Sequence, residues 1–164
     1  MLCSGHDPAT PIPWSRFDAA ELAGGEGSML GHQYITSWHY LRDVELFDNT
    51  AFKIGPGEAR YMDPHQRLLL EVGLEALVRS GRDREGLVGS GVGVYVGFTT
   101  INEWPTLMVS KMQQEKASSG VPFALGMDSA AAAGRLSYVL GLKGPSLVTN
   151  TACSSSLVAL DAAV

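Results

Sequence analysis

The sequence predicts an α/β protein with a largely parallel sheet. Two segments have the character of strands, residues 91–97 and 146–150, and helical segments lie before and after them. Strands that alternate with helices are typical of layered architectures in which helices cover a parallel sheet. A chain of 164 residues is long enough for one domain with a hydrophobic core, and it contains no internal repeat.

The N-terminal region has little periodic pattern. Residues 1 to about 60 carry many Gly and Pro residues, which punctuate the chain at short intervals. We therefore expect loops with short helical pieces there.

The first clear helix is predicted from Asp63 to about Ser80. Asp63 is a good N-cap and Pro64 suits the first helical position. Gln66, three residues after the cap, completes a capping-box pattern, and Gly81 is a left-handed terminator. The apolar residues predicted to share one face are Leu69, Val72, Ala76 and Leu77, and Leu68 and Leu70 widen this apolar stripe.

A strand follows at residues 91–97, where Val92, Val94 and Val96 point one way and the residues between them the other. The glycines in this strand indicate that another part of the chain approaches its backbone closely. Between residues 98 and 127 we expect loop, with one helix around Leu107 to Lys116.

The remaining elements are a helix, a strand and a further helix. Asp128 is the predicted N-cap of the helix and Gly141 its terminator. Residues 146–150 form a short strand after the Gly144-Pro145 turn, and a helix begins at Thr151.

Composition excludes several classes of function. Hydrophobic residues make up 45% of the chain and charged residues 18%, below the roughly 25% of an average domain. This balance indicates much buried surface, including surface for another part of a larger protein. The net charge is −5 and no run of Lys or Arg occurs, so neither nucleic acid nor a membrane surface is an expected partner.

The lack of a recognisable targeting signal and the low cysteine count predict a cytoplasmic protein. No secretory signal and no apolar stretch of about 18 residues is found. Cys3 and Cys153 are too few for a disulfide framework, so a reducing compartment is expected.

The chemistry is predicted at the last junction between strand and helix. No charged side chain occurs from Ser146 to Leu160, which predicts a buried helix. Cys153 falls in the first turn of that helix, where free N–H groups and the helix dipole favour a thiolate and can stabilise an oxyanion. Small residues around the cysteine, Ala152 and Ser154–Ser156, leave room for a substrate.

A simpler interpretation of Cys153 stays open at this point, since free cysteines often only pack in a core. A nucleophile also needs a base or an electrophilic partner. The four histidines offer no clear partner and no metal-site spacing, so no metal is expected. They are His6, His32, His39 and His65.

Four segments in order resemble sequence blocks of the β-ketoacyl synthases. The block around the nucleophile is Thr151-Ala-Cys-Ser-Ser-Ser-Leu157. The other three are residues 62–71, 133–138 and 141–146. The first of these, with its Asp63-Pro-His-Gln run, is more similar to modular polyketide synthases than to stand-alone fatty-acid condensing enzymes.

The resemblance implies a thiolase-like fold of layered α/β/α/β/α type, with this chain as most of the N-terminal half. Residues 1–164 would then be a partial ketosynthase domain, truncated at both ends. An opening strand would lie before Asp7. The two catalytic histidines of the family would lie beyond the nucleophile, outside this chain.

The implied activity is acyl transfer to Cys153, followed by decarboxylative Claisen condensation with a malonyl-type extender on an acyl carrier protein. The backbone N–H of Cys153 would serve the oxyanion, and Thr99 and Met127 would contribute to the acyl pocket. No cofactor would be bound, since the acyl substrates are linked to phosphopantetheine. The implied partners are the acyl carrier protein, a second copy of the chain and other polyketide synthase domains.

Asn150 departs from the family pattern, because many family members carry Asp at this position. We expect a neutral effect, since the hydrogen bonding is kept.

Other interpretations of the chain remain open. They are a fatty-acid-type ketoacyl synthase, a thiolase-fold enzyme that condenses coenzyme A esters, a silent decarboxylase or partner subunit, and an inactive structural or dimerising fragment.

Overall fold

The computed structural model describes residues 4–16, 37–99, 103–115 and 120–164, and the chain divides into two units, Met1–Val44 and Glu45–Val164. In the first unit β1 (Thr10–Pro11) pairs antiparallel with β2 (Ser37–Trp38), a pair that the sequence analysis did not predict. Cys3 and His32 lie outside the described residues.

The second unit contains two strands and a series of helices along the described residues. In chain order they are α1 (Pro56–Ala59), α2 (Pro64–Arg79), α3 (Arg84–Leu87), β3 (Val94–Gly97), α4 (Glu103–Glu115), α5 (Val121–Met127), α6 (Ala131–Leu140), β4 (Ser146–Thr149), a 3₁₀ turn (Ala152–Ser154) and α7 (Ser155–Ala162).

Helix α2 begins and ends where the sequence predicts. Asp63 caps it by accepting a hydrogen bond from the backbone N–H of His65 at 2.7 Å, and Gly81 has a φ of 81°. The predicted capping box is wrong. The backbone N–H of Asp63 donates instead to the carbonyl of Gly126, and the side chain of Gln66 turns inward. The side chain of Gln66 can therefore form hydrogen bonds with residues outside α2.

The buried face of α2 is part of the predicted stripe, since Leu69 and Leu77 pack against the core but Val72 and Ala76 are exposed. Val72 is 57% exposed, whereas Leu70 is buried and the methyl groups of Leu136 lie where a side chain at Gly73 would point. Three consecutive leucines, Leu68 to Leu70, make the stripe ambiguous in the sequence, and the packing of α6 selects Leu70.

The two strands form a parallel pair with a helix on each face. Val94 pairs with Ser146 and Gly97 with Thr149. The valines of β3 face the core together with α6, while Gly97 on the opposite face meets α7. The core residues are Phe52, Ile54, Met62, Leu70, Leu87, Val94, Ala133, Leu136, Leu140 and Leu142.

Two further predictions need adjustment. The helix expected around Leu107 begins earlier, at Glu103, and α5 was not predicted at all. Asp128 accepts from the backbone N–H of Ala130 at 2.9 Å, just before α6, and Gly141 ends that helix with a φ of 69°. None of the helices within the described ranges has both the length and the apolar character that a membrane-spanning helix requires.

Candidate active site

Cys153 lies at the apex of a sharp turn between a strand and a helix. Strand β4 ends at Thr149, the 3₁₀ turn spans Ala152–Ser154, and α7 begins at Ser155. Ala152 has a φ of 54°, in the left-handed region that residues with a Cβ seldom adopt. The turn presents Cys153 as an exposed free thiol two residues before α7, which begins at Ser155 and not at Thr151 as the sequence predicted.

Two serine hydroxyls close this turn. Ser155 Oγ donates to the carbonyl of Ala152 at 2.7 Å and accepts from the backbone N–H of Thr151 at 2.9 Å. Ser154 Oγ donates to the carbonyl of Thr151 at 2.8 Å. These serines were predicted to leave room for a substrate, but Ser155 is buried and both stabilise the left-handed turn instead.

The side chain of Asn150 supports the turn from the strand side. Its Oδ1 accepts hydrogen bonds from the backbone N–H of Ala152 at 3.2 Å and from the hydroxyl of Thr99 at 3.0 Å. Thr99 lies just beyond β3, so one oxygen atom joins the ends of both strands to the cysteine turn.

The backbone N–H of Cys153, the predicted oxyanion donor, has no hydrogen-bond acceptor within the parts of the chain that the structure describes. The amides on either side are occupied: that of Ala152 by Asn150 and that of Ser154 by the carbonyl of Thr151. The donor next to the thiol is thus available to a bound carbonyl oxygen.

Helix α7 is not buried in this chain, contrary to the sequence prediction. Only Ser155 and Ala159, one turn apart, are buried, whereas Leu157 is 71% and Leu160 64% exposed. The sheet covers one side of the helix, and none of the described residues covers the other. The absence of charge therefore does not show that α7 is buried within this chain, because burial also requires a surface that packs against each face of the helix.

The two predicted pocket residues fall in different places. Thr99 is exposed and bonded to Asn150, next to the cysteine turn. Met127 is half-buried at the last position of α5. The carbonyls of Leu125 and Asp128, on either side of Met127, both accept hydrogen bonds from Gln66 Nε2, at 3.1 and 2.9 Å.

Gln66 belongs to a buried polar network that sequence reasoning did not find. Its Oε1 accepts from Arg135 Nε at 3.0 Å, and Arg135 also forms an ion pair with Glu58. These three side chains join α1, α2 and α6. The sequence analysis assigned Gln66 to a capping box and therefore missed its hydrogen bonds to other helices. The available signal was a polar residue two positions before a run of leucines, which is typical of a buried hydrogen-bonded side chain.

A groove of about 340 Å³ lies beside this network. Its lining residues are Glu58, Leu125, Ala131, Gly134, Arg135 and Tyr138. None of them belongs to the segment that carries Cys153.

An exposed thiol on a strand–turn–helix, beside an unused amide donor, defines a site suited to covalent acyl transfer. Comparison with known proteins agrees. The family model described as the β-ketoacyl synthase N-terminal domain matches residues 1–164, and the chain therefore belongs to the β-ketoacyl synthase family.

Its relatives are polyketide synthases. The chain is 39% identical over its full length to the highly reducing polyketide synthase easB of Emericella nidulans, of which it covers 6%. It is 40% identical to the mycoketide-CoA synthase of Mycobacterium tuberculosis, again over its full length and 4% of that protein.

Solved ketosynthase domains share the fold. The ketosynthase from module 6 of the bacillaene synthase of Bacillus subtilis 168 matches with a TM-score of 0.76 and 31% identity, over 99% of this chain and 25% of that one. An oxazolomycin ketosynthase domain of Streptomyces albus JA3453 gives 0.77 and 28%, over 98% of this chain and 27% of that one. These domains have the thiolase-like fold, which confirms the predicted fold class.

Proposed function

We propose that this chain supplies the acyl-accepting part of a ketosynthase site in a polyketide synthase, with Cys153 as the nucleophile. The observation that carries the proposal is the exposed thiol at the apex of a left-handed turn that several side chains hold in place. A nucleophile in this position can reach a large substrate that is tethered to another protein, because nothing in the described chain covers it.

The proposed reaction has two stages. The thiolate of Cys153 attacks an acyl thioester on the carrier protein, a new thioester forms, and the phosphopantetheine thiol leaves. A malonyl-type extender on a carrier protein then loses carbon dioxide, and its carbanion attacks the acyl–cysteine carbonyl. The Cys153 thiolate leaves, and a β-ketoacyl thioester remains on the carrier. The backbone N–H of Cys153 would donate to the carbonyl oxygen in both stages.

The groups that stabilise the enolate are proposed to come from outside residues 1–164. Two of the described histidines have a carboxylate partner: His65 contacts the capping carboxylate of Asp63 at 2.7 Å, and His39 lies 3.5 Å from Asp7. The chain spans about a quarter of the ketosynthase chains that it matches, and we propose that it completes no condensation alone.

The proposed partners are an acyl carrier protein, other polyketide synthase domains and a second copy of the chain. The relatives are large multidomain synthases, of which the chain covers a few per cent. For the second copy, residues 146–150 would pair across a two-fold axis. The support is that β4 pairs with β3 on one edge, and Leu147 is 48% exposed.

Intact-mass analysis tests the proposal. A complete ketosynthase domain containing residues 1–164 is incubated with an acetyl-phosphopantetheine thioester, and the site is mapped by peptide mass. One acetyl group on Cys153 is expected, with none in Cys153→Ala and wild-type labelling in Cys3→Ala. Addition of malonyl-carrier protein should then yield β-ketoacyl product in wild type and in Cys3→Ala, but not in Cys153→Ala. Acetylation that persists in Cys153→Ala would refute the assignment, while a folded wild-type domain that is not labelled at all would favour a structural fragment.

A further inference from the structure

We propose that Asn150 and Thr99 are positioning residues for Cys153 and that they act through a single oxygen atom, Asn150 Oδ1. This inference rests on the proposed function, because it concerns how the nucleophile is held. It reassigns Thr99 from the acyl pocket to the support of the turn.

The backbone at Ala152 is the point where the direction of Cys153 is set. Ala152 immediately precedes the nucleophile and has a φ of 54°, which an alanine adopts only when surrounding contacts hold it there. Its N–H donates to Asn150 Oδ1 at 3.2 Å. The side chain of Asn150 thus opposes relaxation of the turn at the residue before the thiol.

Thr99 anchors the same oxygen to the neighbouring strand. Gly97 and Thr149 are paired in the sheet, so Thr99 and Asn150 both leave the sheet at the same end. The hydroxyl of Thr99 donates to Asn150 Oδ1 at 3.0 Å. A hydrogen bond from a second strand restricts the Asn150 side chain, which is otherwise exposed and would be free to rotate into water.

The proposed positioning role requires an acceptor oxygen on the side chain of residue 150, but it does not depend on the charge of that side chain. Aspartate offers the same oxygen at the same distance from the backbone, whereas leucine has a similar shape and no acceptor. Valine at position 99 removes the hydroxyl and keeps the shape of threonine. These three substitutions therefore separate hydrogen bonding from packing.

The experiment compares Asn150→Leu, Asn150→Asp and Thr99→Val in a complete ketosynthase domain containing residues 1–164. The first measurement is the rate of Cys153 acetylation by an acetyl-phosphopantetheine thioester. The second is amide hydrogen exchange at Ala152, which requires no enzymatic activity. Thermal unfolding confirms that each variant is folded.

Asn150→Leu should slow acetylation about 100-fold, the typical effect of displacing a reacting group by about 1 Å, with little change in the half-saturating thioester concentration. Exchange at Ala152 should accelerate in the same variant. Asn150→Asp should restore both measurements to near wild type. Thr99→Val, which removes one hydrogen bond, should slow acetylation about fivefold.

The two proposals fail in different ways. A folded wild-type domain that is never acetylated at Cys153 refutes the proposed function, and the positioning role with it. Normal wild-type acetylation, with Asn150→Leu equally fast or Asn150→Asp as slow as Asn150→Leu, overturns the positioning role alone.

Discussion

Gly97 lies directly against the peptide bond that joins Ser155 to Ser156. A methyl group built on Gly97 would lie 2.6 Å from the carbonyl carbon of Ser155 and 2.6 Å from the backbone nitrogen of Ser156. Both atoms are backbone and cannot rotate away. The absence of a side chain at Gly97 therefore sets how closely α7, and the cysteine turn before it, approaches the sheet.

Substitution of Gly97 by Ala should thus separate α7 from β3. We expect the free energy of unfolding to fall by roughly 1–3 kcal/mol, the usual cost of overpacking, and acylation of Cys153 to slow as the turn shifts. Urea unfolding and the intact-mass assay, both on a complete domain containing residues 1–164, measure the two effects.

Gly134→Ala is the matched control, since Gly134 lies within α6 and a methyl group there meets nothing within 4 Å. Alanine in an open helical position should raise the free energy of unfolding by about 0.5–1 kcal/mol. A Gly97→Ala variant as stable as this control would show that α7 can move away from β3 without a loss in the free energy of unfolding.

Local signals account for the parts of the fold that the sequence predicts. Asp63, Gly81 and Gly141 act within one or two turns of their own position, and their roles are confirmed. Helix α5 is different. It has seven residues and a glycine, and contacts from distant residues hold it, including the hydrogen bond from the backbone N–H of Asp63 to the carbonyl of Gly126.

The same distinction applies to the candidate site. The position of Cys153 between strand and helix follows from local pattern, whereas the bond between Thr99 and Asn150 joins residues that are 51 positions apart. Such a contact depends on strand pairing and on a side-chain rotamer, neither of which one sequence determines.

Replacement of Gln66 by Met should destabilise the domain strongly. Gln66 is 1% exposed, and its loss leaves Arg135 Nε and two carbonyls without their partner at nearly constant volume. Each unsatisfied buried group costs about 1–3 kcal/mol, so we expect a loss of at least about 2 kcal/mol in urea unfolding.

Gln113→Met on α4 is its control, because Gln113 is exposed and the same substitution should change stability by less than about 0.5 kcal/mol. Equal effects of the two substitutions would contradict the structural role of Gln66. On the hypothesis that Met127 contributes to the acyl pocket, the surviving activity of Gln66→Met should show an altered acyl-chain preference, because Gln66 holds the carbonyls of Leu125 and Asp128 on either side of Met127.

Leu147→Asp should disrupt the proposed pairing of two copies along β4. Leu147 is 48% exposed, whereas its neighbour Val148 packs against the core, so a charge at Leu147 tests association rather than folding. A complete domain carrying Leu147→Asp should elute as a monomer in light-scattering chromatography. Val72→Asp, at an exposed valine of α2, should leave the oligomeric state unchanged. A Leu147→Asp protein that stays dimeric argues against an interface at this strand.

Charged substitutions on the exposed side of α7 should increase the solubility of the 164-residue chain but destabilise a complete ketosynthase domain. In the 164-residue chain Leu157 and Leu160 are 71% and 64% exposed, and together they present an apolar surface that favours aggregation. Lysine at both positions should raise the soluble fraction of the purified chain, measured after centrifugation. In a complete ketosynthase domain we expect a second half to cover this surface.

There the same double substitution should lower the free energy of unfolding by at least about 3 kcal/mol, since each buried leucine contributes about 1.5–3 kcal/mol and the lysines would lack partners. Val72→Lys, at a site that is 57% exposed, should have little effect in either protein. If Leu157→Lys with Leu160→Lys left the complete domain as stable as Val72→Lys does, α7 would be a surface helix in the complete domain as well. The absence of charge from Ser146 to Leu160 would then need an explanation other than burial.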